Sequence, residues 1–218
     1  MQVKLLTHTP HPEKVCATAA KLCYSAGMPA MEDITPDKAR PFLEKILALG
    51  HLSVLEHASF TFSVEGISRA CSHQLVRHRL ASFSQQSQRY VQAHGEFEQI
   101  IPPSIKNNPQ ALHEFHCAMS ECGNAYGNLI TLGIPAEDAR FVLPNAAETK
   151  LIETMNAREL LHFFKLRTCS RAQWEIRALA NEMLRLVKLA APALFSTAGP
   201  GCVTGTCPEG AMSCKAVV

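Results

Sequence analysis

The chain has almost no excess charge of either sign: its 21 Lys and Arg residues nearly balance its 19 Asp and Glu residues, for a formal net charge of +2. A uniformly basic surface that binds polyanions is therefore not expected, and phosphate binding must rely on local groups of arginines. Aromatic residues are also scarce, at 6% with a single tryptophan. Both shortages disfavour a nucleic-acid-binding module, although Arg77, Arg79 and Arg89 keep that alternative open.

Long apolar runs are missing too. No segment is long enough to span a bilayer, and the start of the chain lacks the charged-then-apolar layout of a secretory signal. We therefore expect a cytoplasmic protein. The nine cysteines are odd in number, in a chain too large to need a disulfide framework, so we expect reduced thiols. Cys71, Cys117 and Cys122 fall on helical patterns and are expected to be small buried residues.

The composition that is present favours a packed globule. With 218 residues, 47% of them hydrophobic and 18% charged, the chain suits one helix-rich α+β domain with a small mixed sheet. We place that domain at residues 1–192 and an irregular tail, rich in Cys, Gly and Pro, at residues 193–218. Apolar spacing predicts strands at 3–6, 60–65 and 149–155, and helices at 12–24, 37–49 and 109–133.

Local signals add further detail to this pattern. Gly66 is expected to turn the second strand into a helix that carries Gln74, Arg77 and His78. The helix over 109–133 is expected to be a long core helix. Two capping boxes, Asn156 with Glu159 and Ser170 with Gln173, predict the starts of two more helices.

The most polar stretch runs from Arg77 to Tyr90. It combines three arginines with several hydroxyls and side-chain amides, which can hold a phosphate bidentately and hydrogen-bond the edge of a base. A basic turn whose arginines pair with acids elsewhere is the alternative interpretation. The spacing of the residues within this stretch favours binding of a phosphate and a base.

Arg77-His78-Arg79, seven intervening residues and Ser87 resemble the signature of the flavin-dependent thymidylate synthases. Other segments match the family in the same order, up to about residue 192. They are Gly50-His51, Glu56-His57, the strand at 60–64, Gln74, Ser87-Gln88-Arg89-Tyr90, Ala139-Arg140, Asn156-Ala157-Arg158, Leu166-Arg167 and Ala172-Gln173-Trp174-Glu175-Ile176.

The resemblance implies a homotetramer with active sites built at subunit junctions, and it assigns residues by position. Those expected at FAD are His51, Ser53, Glu56, Arg77, His78, Arg79, Asn156, Arg158 and His162. Those expected at dUMP are Gln74, Gln85, Gln86, Ser87, Gln88, Arg89, Arg140 and Arg167. Gln85 and His162 stand where some relatives carry Glu and Asn.

Within these sets, Arg89 and Arg140 are expected to clamp the nucleotide phosphate. Arg167 is the expected catalytic residue, because it could hydrogen-bond the uracil oxygen on which charge develops. Ser87 is assigned to substrate binding, since no activating base stands at an evident spacing. For Arg140, a surface ion pair with Glu137 at i,i+3 is the alternative, worth only about 0.2–0.5 kcal/mol.

The implied reaction is methylation of dUMP to dTMP, with methylenetetrahydrofolate as carbon donor, NADPH as reductant and FAD as cofactor. A flavoprotein that acts on another pyrimidine nucleotide, for example by hydroxymethylating it, is an alternative, because the same pockets would serve. Cys202, Cys207 and Cys214 of the tail could form a metal or redox site. Their wide spacing and the lack of a nearby histidine disfavour zinc, so no metal is expected.

Overall fold

The computed structural model describes residues 1–91, 97–203 and 205–214, so Thr204 and the last four residues of the tail lie outside it. The α+β class is confirmed, with a four-stranded antiparallel sheet in the order β1-β2-β4-β3 where a mixed sheet was expected. The strands are β1 Gln2–His8, β2 Ser59–Ser68, β3 Ala81–Gln85 and β4 Glu148–Asn156.

Helices account for most of the regular structure. They are α1 Pro12–Leu22, α2 Pro36–Ala48, α3 Arg69–Leu75, α4 Pro103–Lys106, α5 Pro109–Thr131, α6 Ala136–Ala139, α7 Ala157–Arg167 and α8 Trp174–Ala190. Short 3-10 turns lie at Met31–Asp33, Leu52–His57, Arg140–Val142 and Gly210–Met212. Within residues 1–91, 97–203 and 205–214, no helix combines the length and apolarity that a bilayer crossing needs.

The chain divides into two compact units. The first unit consists of Met1–Gln2, Val64–Leu75 and Ser84–Leu151, and the second consists of Val3–Ser63, Val76–Phe83 and Ile152–Val218.

Phenylalanines build the core of the second unit. Phe60 from β2 and Phe164 from α7 lie against Phe195, with ring centroids 5.4 Å and 6.0 Å away. All three are fully buried, because alternate residues of a strand face the same side and a helix presents one stripe to the core. The domain boundary at residue 192 stays a prediction, and packing in this unit continues past it to Phe195.

Several predicted boundaries are confirmed. Helix α2 ends just before Gly50, whose φ of 75° lies in the left-handed region that favours glycine. Asn108 caps α5 by accepting hydrogen bonds from the amides of Gln110 and Ala111. Asn156 caps α7 by accepting from the amide of Glu159 at 2.9 Å.

Other predictions of local structure are wrong. Gly66 does not end β2: it has a φ of 73° inside the strand, and a Cβ there would lie 2.9 Å from the nitrogen of Met1. Helix α3 ends at Leu75, so Arg77 and His78 lie beyond it. Helix α8 is capped by Gln173, which accepts from the amides of Glu175 and Ile176, so Ser170 is not the cap.

Burial differs from expectation along α5. Tyr126 is the only buried residue of this helix, so it is not a core helix within one chain. Phe115, Met119 and Cys122 are half-buried, and Cys117 is exposed rather than buried. The apolar stripe that the sequence shows is therefore real but only partly covered.

Candidate functional site

In the first unit, the loop after β3 is fixed to β4. The Gln85 side chain donates to Oγ1 of Thr149 at 3.1 Å, and the amide of Gln86 donates to the carbonyl of Lys150 at 2.9 Å. The Ser87 hydroxyl accepts from the amide of Arg89 at 3.1 Å. These bonds hold a polar loop in one conformation, as a preformed binding site requires.

Arg89 and Arg140, the expected phosphate clamp, both contact Glu137. Nε of Arg89 donates to Glu137 Oε2 at 2.8 Å, whereas Nε of Arg140 donates to the Glu137 backbone carbonyl at 3.0 Å. The carboxylate thus pairs with Arg89, and the i,i+3 ion pair proposed for Arg140 is not formed. The structure brings the two arginines together at one point.

Arg69, which sequence reasoning missed, belongs to the same cluster. Its Nη2 donates to the Gln86 carbonyl at 2.9 Å, and its Nε is buried with no hydrogen-bond partner in the described part of the chain. Burial, and then the charge of Arg140, lowers the pKa of Arg69. A buried guanidinium N–H beside a second arginine is the donor that a bound anion would satisfy.

Arg69 and part of the loop after β3 border a cleft of about 250 Å³ in the first unit. Its lining includes Arg69, Gln86, Ser87, Gln88 and Lys150, together with the acidic residues Glu98 and Glu148. Gln74 lies half-buried on α3 of the same unit. The cleft therefore combines guanidinium, amide and hydroxyl donors. Of the eight residues that the sequence assigned to dUMP, Gln86, Ser87 and Gln88 line it, whereas Arg167 lies in the second unit.

In the second unit, His78 is the centre of a buried polar chain. It is 4% exposed, its Nδ1 lies 3.0 Å from Oε1 of Glu159, and Nε of Arg167 donates to its Nε2 at 3.1 Å. The ring also meets Phe163 edge-on, with centroids 4.9 Å apart. Both ring nitrogens are thus engaged by protein groups.

The pKa of His78 is lowered. Burial is the largest cause, and the charges of Arg167 and His162 act in the same direction, while the hydrogen bond and charge of Glu159 oppose them. The imidazole is therefore neutral at physiological pH.

The other residues expected at FAD lie in the second unit. Arg158 donates to the carboxylate of Glu56, and both side chains are about half exposed. His51 and Ser53 are exposed at the 3-10 turn Leu52–His57. The His162 ring centroid lies 5.9 Å from that of His78.

Arg77 and Arg79 flank the buried His78 in the sequence and are both exposed. Within the described residues, neither forms an ion pair. Their charges are therefore not neutralised locally, which is the state that a bound pyrophosphate would use.

The cysteine tail is held by Arg171. Its Nε lies 3.1 Å from Oε2 of Glu209, and its Nη1 donates to the Met212 carbonyl at 3.0 Å. Among the residues described, no group of His, Cys, Asp or Glu could hold a metal ion. Cys202, Cys207 and Cys214 are thus not assembled as a metal site.

Comparison with known proteins gives consistent matches. Residues 4–193 match the family model described as thymidylate synthase complementing protein. A flavin-dependent thymidylate synthase of Geobacter sulfurreducens is 61% identical over 217 residues, which cover 98% of this chain and 94% of that protein. The corresponding protein of Clostridium tetani is 52% identical over 98% of this chain and 93% of its own length.

A more distant relative matches over nearly the same span. The flavin-dependent thymidylate synthase of Pyrococcus horikoshii is 46% identical, over 96% of this chain and 90% of that protein. Since the family model covers residues 4–193 and each of these relatives covers almost the whole sequence, the chain belongs to the thymidylate synthase complementing protein family.

Proposed function

We propose that this chain is a flavin-dependent thymidylate synthase that methylates dUMP to dTMP. The observation that carries the proposal is the arginine cluster of the first unit, where Arg69, Arg89 and Arg140 meet beside Ser87 of the family signature. Such a cluster suits a nucleotide phosphate. The name shared by the relatives supplies the reaction class.

The dUMP site, in this proposal, uses Arg69, Arg89 and Arg140 for the phosphate. Ser87 and the glutamines Gln74, Gln85, Gln86 and Gln88 bind the remainder of the nucleotide. Ser87 is a binding group rather than a nucleophile: among the described residues its hydroxyl contacts the amide of Arg89 and no base.

Arg167 is the proposed catalytic residue. A guanidinium at a uracil carbonyl would stabilise the negative charge that develops when the ring is activated for attack by C5. Its Nε bond to His78 restricts the side chain to one orientation. That restriction is what electrostatic stabilisation requires, because a fixed donor needs no reorganisation during the reaction.

The residues present in the second unit fit a flavin nucleotide. The exposed, locally unneutralised Arg77 and Arg79 suit its pyrophosphate, and Glu56, Arg158 and Asn156 offer polar groups for the rest. His51, Ser53, His78 and His162 complete the proposed FAD set. Bound there and reduced by NADPH, the flavin would supply the hydride that converts the carbon donated by methylenetetrahydrofolate to a methyl group.

We also propose that the chain assembles as a homotetramer. The half-buried stripe of α5 supports this, because apolar surface left uncovered in one chain is commonly buried against another. A cytoplasmic location stays a prediction.

The test is mass analysis of the products from dUMP, methylenetetrahydrofolate, NADPH and purified protein, with and without FAD. We expect dTMP and tetrahydrofolate only when flavin and NADPH are both present. NADPH consumption without dTMP would instead indicate a flavoprotein with another pyrimidine substrate. Absence of both reactions with FAD supplied would contradict the proposal.

A further inference from the structure

Glu159, His78 and Arg167 form a linear hydrogen-bonded chain in the second unit. The carboxylate and the imidazole are 6% and 4% exposed. Their contact of 3.0 Å and the Arg167 contact of 3.1 Å are both ordinary hydrogen-bond lengths. The only protonation pattern compatible with both contacts can be worked out from the donors.

An arginine Nε–H can only donate, so Nε2 of His78 must be unprotonated where it meets Arg167. In the neutral imidazole the proton then sits on Nδ1, which donates to the carboxylate of Glu159. A protonated His78 would present a second donor to Arg167 and break the chain. The lowered pKa of His78 agrees with the neutral form.

The Glu159 side chain does not make the helix-capping contact that is usual at its position. It occupies the third position of α7, where a glutamate side chain commonly turns back to the amide of the N-cap residue. Here the backbone amide of Glu159 is bound by Asn156, as in a capping box, but the carboxylate reaches His78 instead. The helix start therefore places a buried acid against the imidazole.

We propose that Glu159 is a positioning residue: it fixes the Nδ1–H tautomer of His78, and His78 in turn orients the guanidinium of Arg167. The proposal deepens the proposed function, since it rests on Arg167 acting at the substrate. The proposal assigns neither Glu159 nor His78 a proton transfer to the substrate. Glu159 acts on the substrate only indirectly, through His78 and Arg167.

Glu159→Gln is the informative change because it keeps the size and removes the charge. The glutamine amide can accept from Nδ1–H of His78 or donate to an unprotonated Nδ1. In the second case the imidazole proton lies on Nε2, where it faces the Nε–H of Arg167, and two donors cannot form a hydrogen bond. We expect kcat to fall by roughly tenfold or more, with less change in KM for dUMP. In Arg167→Ala protein, the same substitution should add no further loss.

The pH profile separates positioning from general destabilisation. The active form needs neutral His78, so activity falls as pH drops through its pKa. Because the hydrogen bond and charge of Glu159 raise that pKa, Glu159→Gln should move the acid limb of kcat to lower pH. Glu153→Gln is the matched control: Glu153 is fully buried on β4, unpartnered in the described residues, and does not contribute to the pKa of His78.

The proposal would be overturned if Glu159→Gln kept the kcat of the parent protein and the acid limb of its pH profile did not move. It would also be overturned if Glu159→Gln lowered kcat further in Arg167→Ala protein. ¹⁵N NMR of histidine-labelled protein tests the tautomer without any turnover. We expect a neutral Nδ1–H signal that disappears in His78→Asn, and its absence from the parent would refute the inference even if no variant folds. An inactive parent that shows this signal would count against the proposed function alone.

Discussion

Arg69 combines three properties that point to a bound anion. It is half-buried, one of its donors lacks a partner in the described residues, and another cation, Arg140, acts on it. Each of these is unfavourable for the empty protein. A phosphate would relieve all three, so we expect the cost to be recovered on nucleotide binding.

Arg69→Leu should therefore raise KM for dUMP by about 10- to 100-fold, since a hydrogen bond to a charged group contributes about 1.5–3 kcal/mol. The loss should depend on the phosphate, so binding of deoxyuridine should change little. Steady-state kinetics and calorimetry measure the two effects. Arg185→Leu, which removes an exposed arginine paired with Glu182 on α8, is the control. Equal losses for dUMP and deoxyuridine would contradict a phosphate contact.

Glu153 makes the folded state of the second unit less favourable at neutral pH than at low pH. It lies on the buried face of β4 beside Leu151 and Met155, and neither carboxylate oxygen has a partner in the described residues. Burial raises its pKa from 4.5 to about 8. The folded protein therefore carries this group as a neutral acid.

Because the unfolded chain releases the Glu153 proton near pH 4.5 and the folded chain only near pH 8, the stability present at low pH is lost progressively across that window. For this one group, the unfolding free energy falls by at most about 1.4 kcal/mol per pH unit. Glu153→Gln should flatten this dependence and raise the unfolding free energy at pH 8. Urea unfolding at pH 5 and pH 8 measures it, and an unchanged difference between the two pH values would show that Glu153 is not the source.

At the scale of elements, α5 depends on its cap. The helix has 23 residues but buries only Tyr126, so tertiary packing within one chain contributes little to its first turns. Asn108 supplies a partner to two of the amides that every helix start leaves open. Its contribution should therefore be measurable.

Asn108→Ala should lower the unfolding free energy by about 0.5–2 kcal/mol and leave the kinetic constants unchanged. The neighbouring Asn107 is exposed and caps nothing at the start of α5, so Asn107→Ala is the control. Thermal unfolding and steady-state kinetics compare the two. Equal destabilisation by both changes would argue against the cap.

Sequence patterns predicted those elements whose signals are local. Gly50 and Asn108 marked helix ends correctly because a left-handed residue and a capping amide act within one turn. Gly66 was misleading because a positive φ also occurs inside a strand, where the close approach of Met1 leaves no room for a Cβ. Ser170 was misleading because α8 begins four residues after it, at Trp174, where the Gln173 side chain accepts from the amides of Glu175 and Ile176.

The candidate site was predictable only in part. The motif around Arg77 to Arg89 could be found because its residues are adjacent in the sequence. Arg69 was missed because its importance comes from burial and from Arg140, 71 positions later. The link from Glu159 to His78 likewise joins residues far apart in the chain, and only tertiary structure reveals such a contact.

At the scale of the whole molecule, the first unit has apolar side chains that the rest of the chain leaves exposed. Leu132 and Phe141 are 77% and 83% exposed, and the stripe of α5 that includes Phe115 is half-covered. Leu132 directly follows α5 and Phe141 lies in the 3-10 turn Arg140–Val142, so exposed apolar side chains near this helix support the proposed assembly.

Phe115→Lys should weaken the proposed tetramer, because it places a charge in a surface that association would bury. Light scattering over a range of protein concentrations measures the effect. Ala118→Lys adds the same charge at an exposed position of α5 and should leave the assembly intact. A tetramer that is equally stable in both variants would exclude α5 as the contact surface.

The single tryptophan has a practical consequence. Trp174 begins α8, is half-buried, and follows the Gln173 cap directly. The tryptophan fluorescence of this protein therefore comes from one known place, without an introduced label. A shift in emission would indicate a change at the start of α8. Variants of Glu159 or Arg69 that keep the parent emission would be known to have preserved that part of the fold before any kinetic result is interpreted.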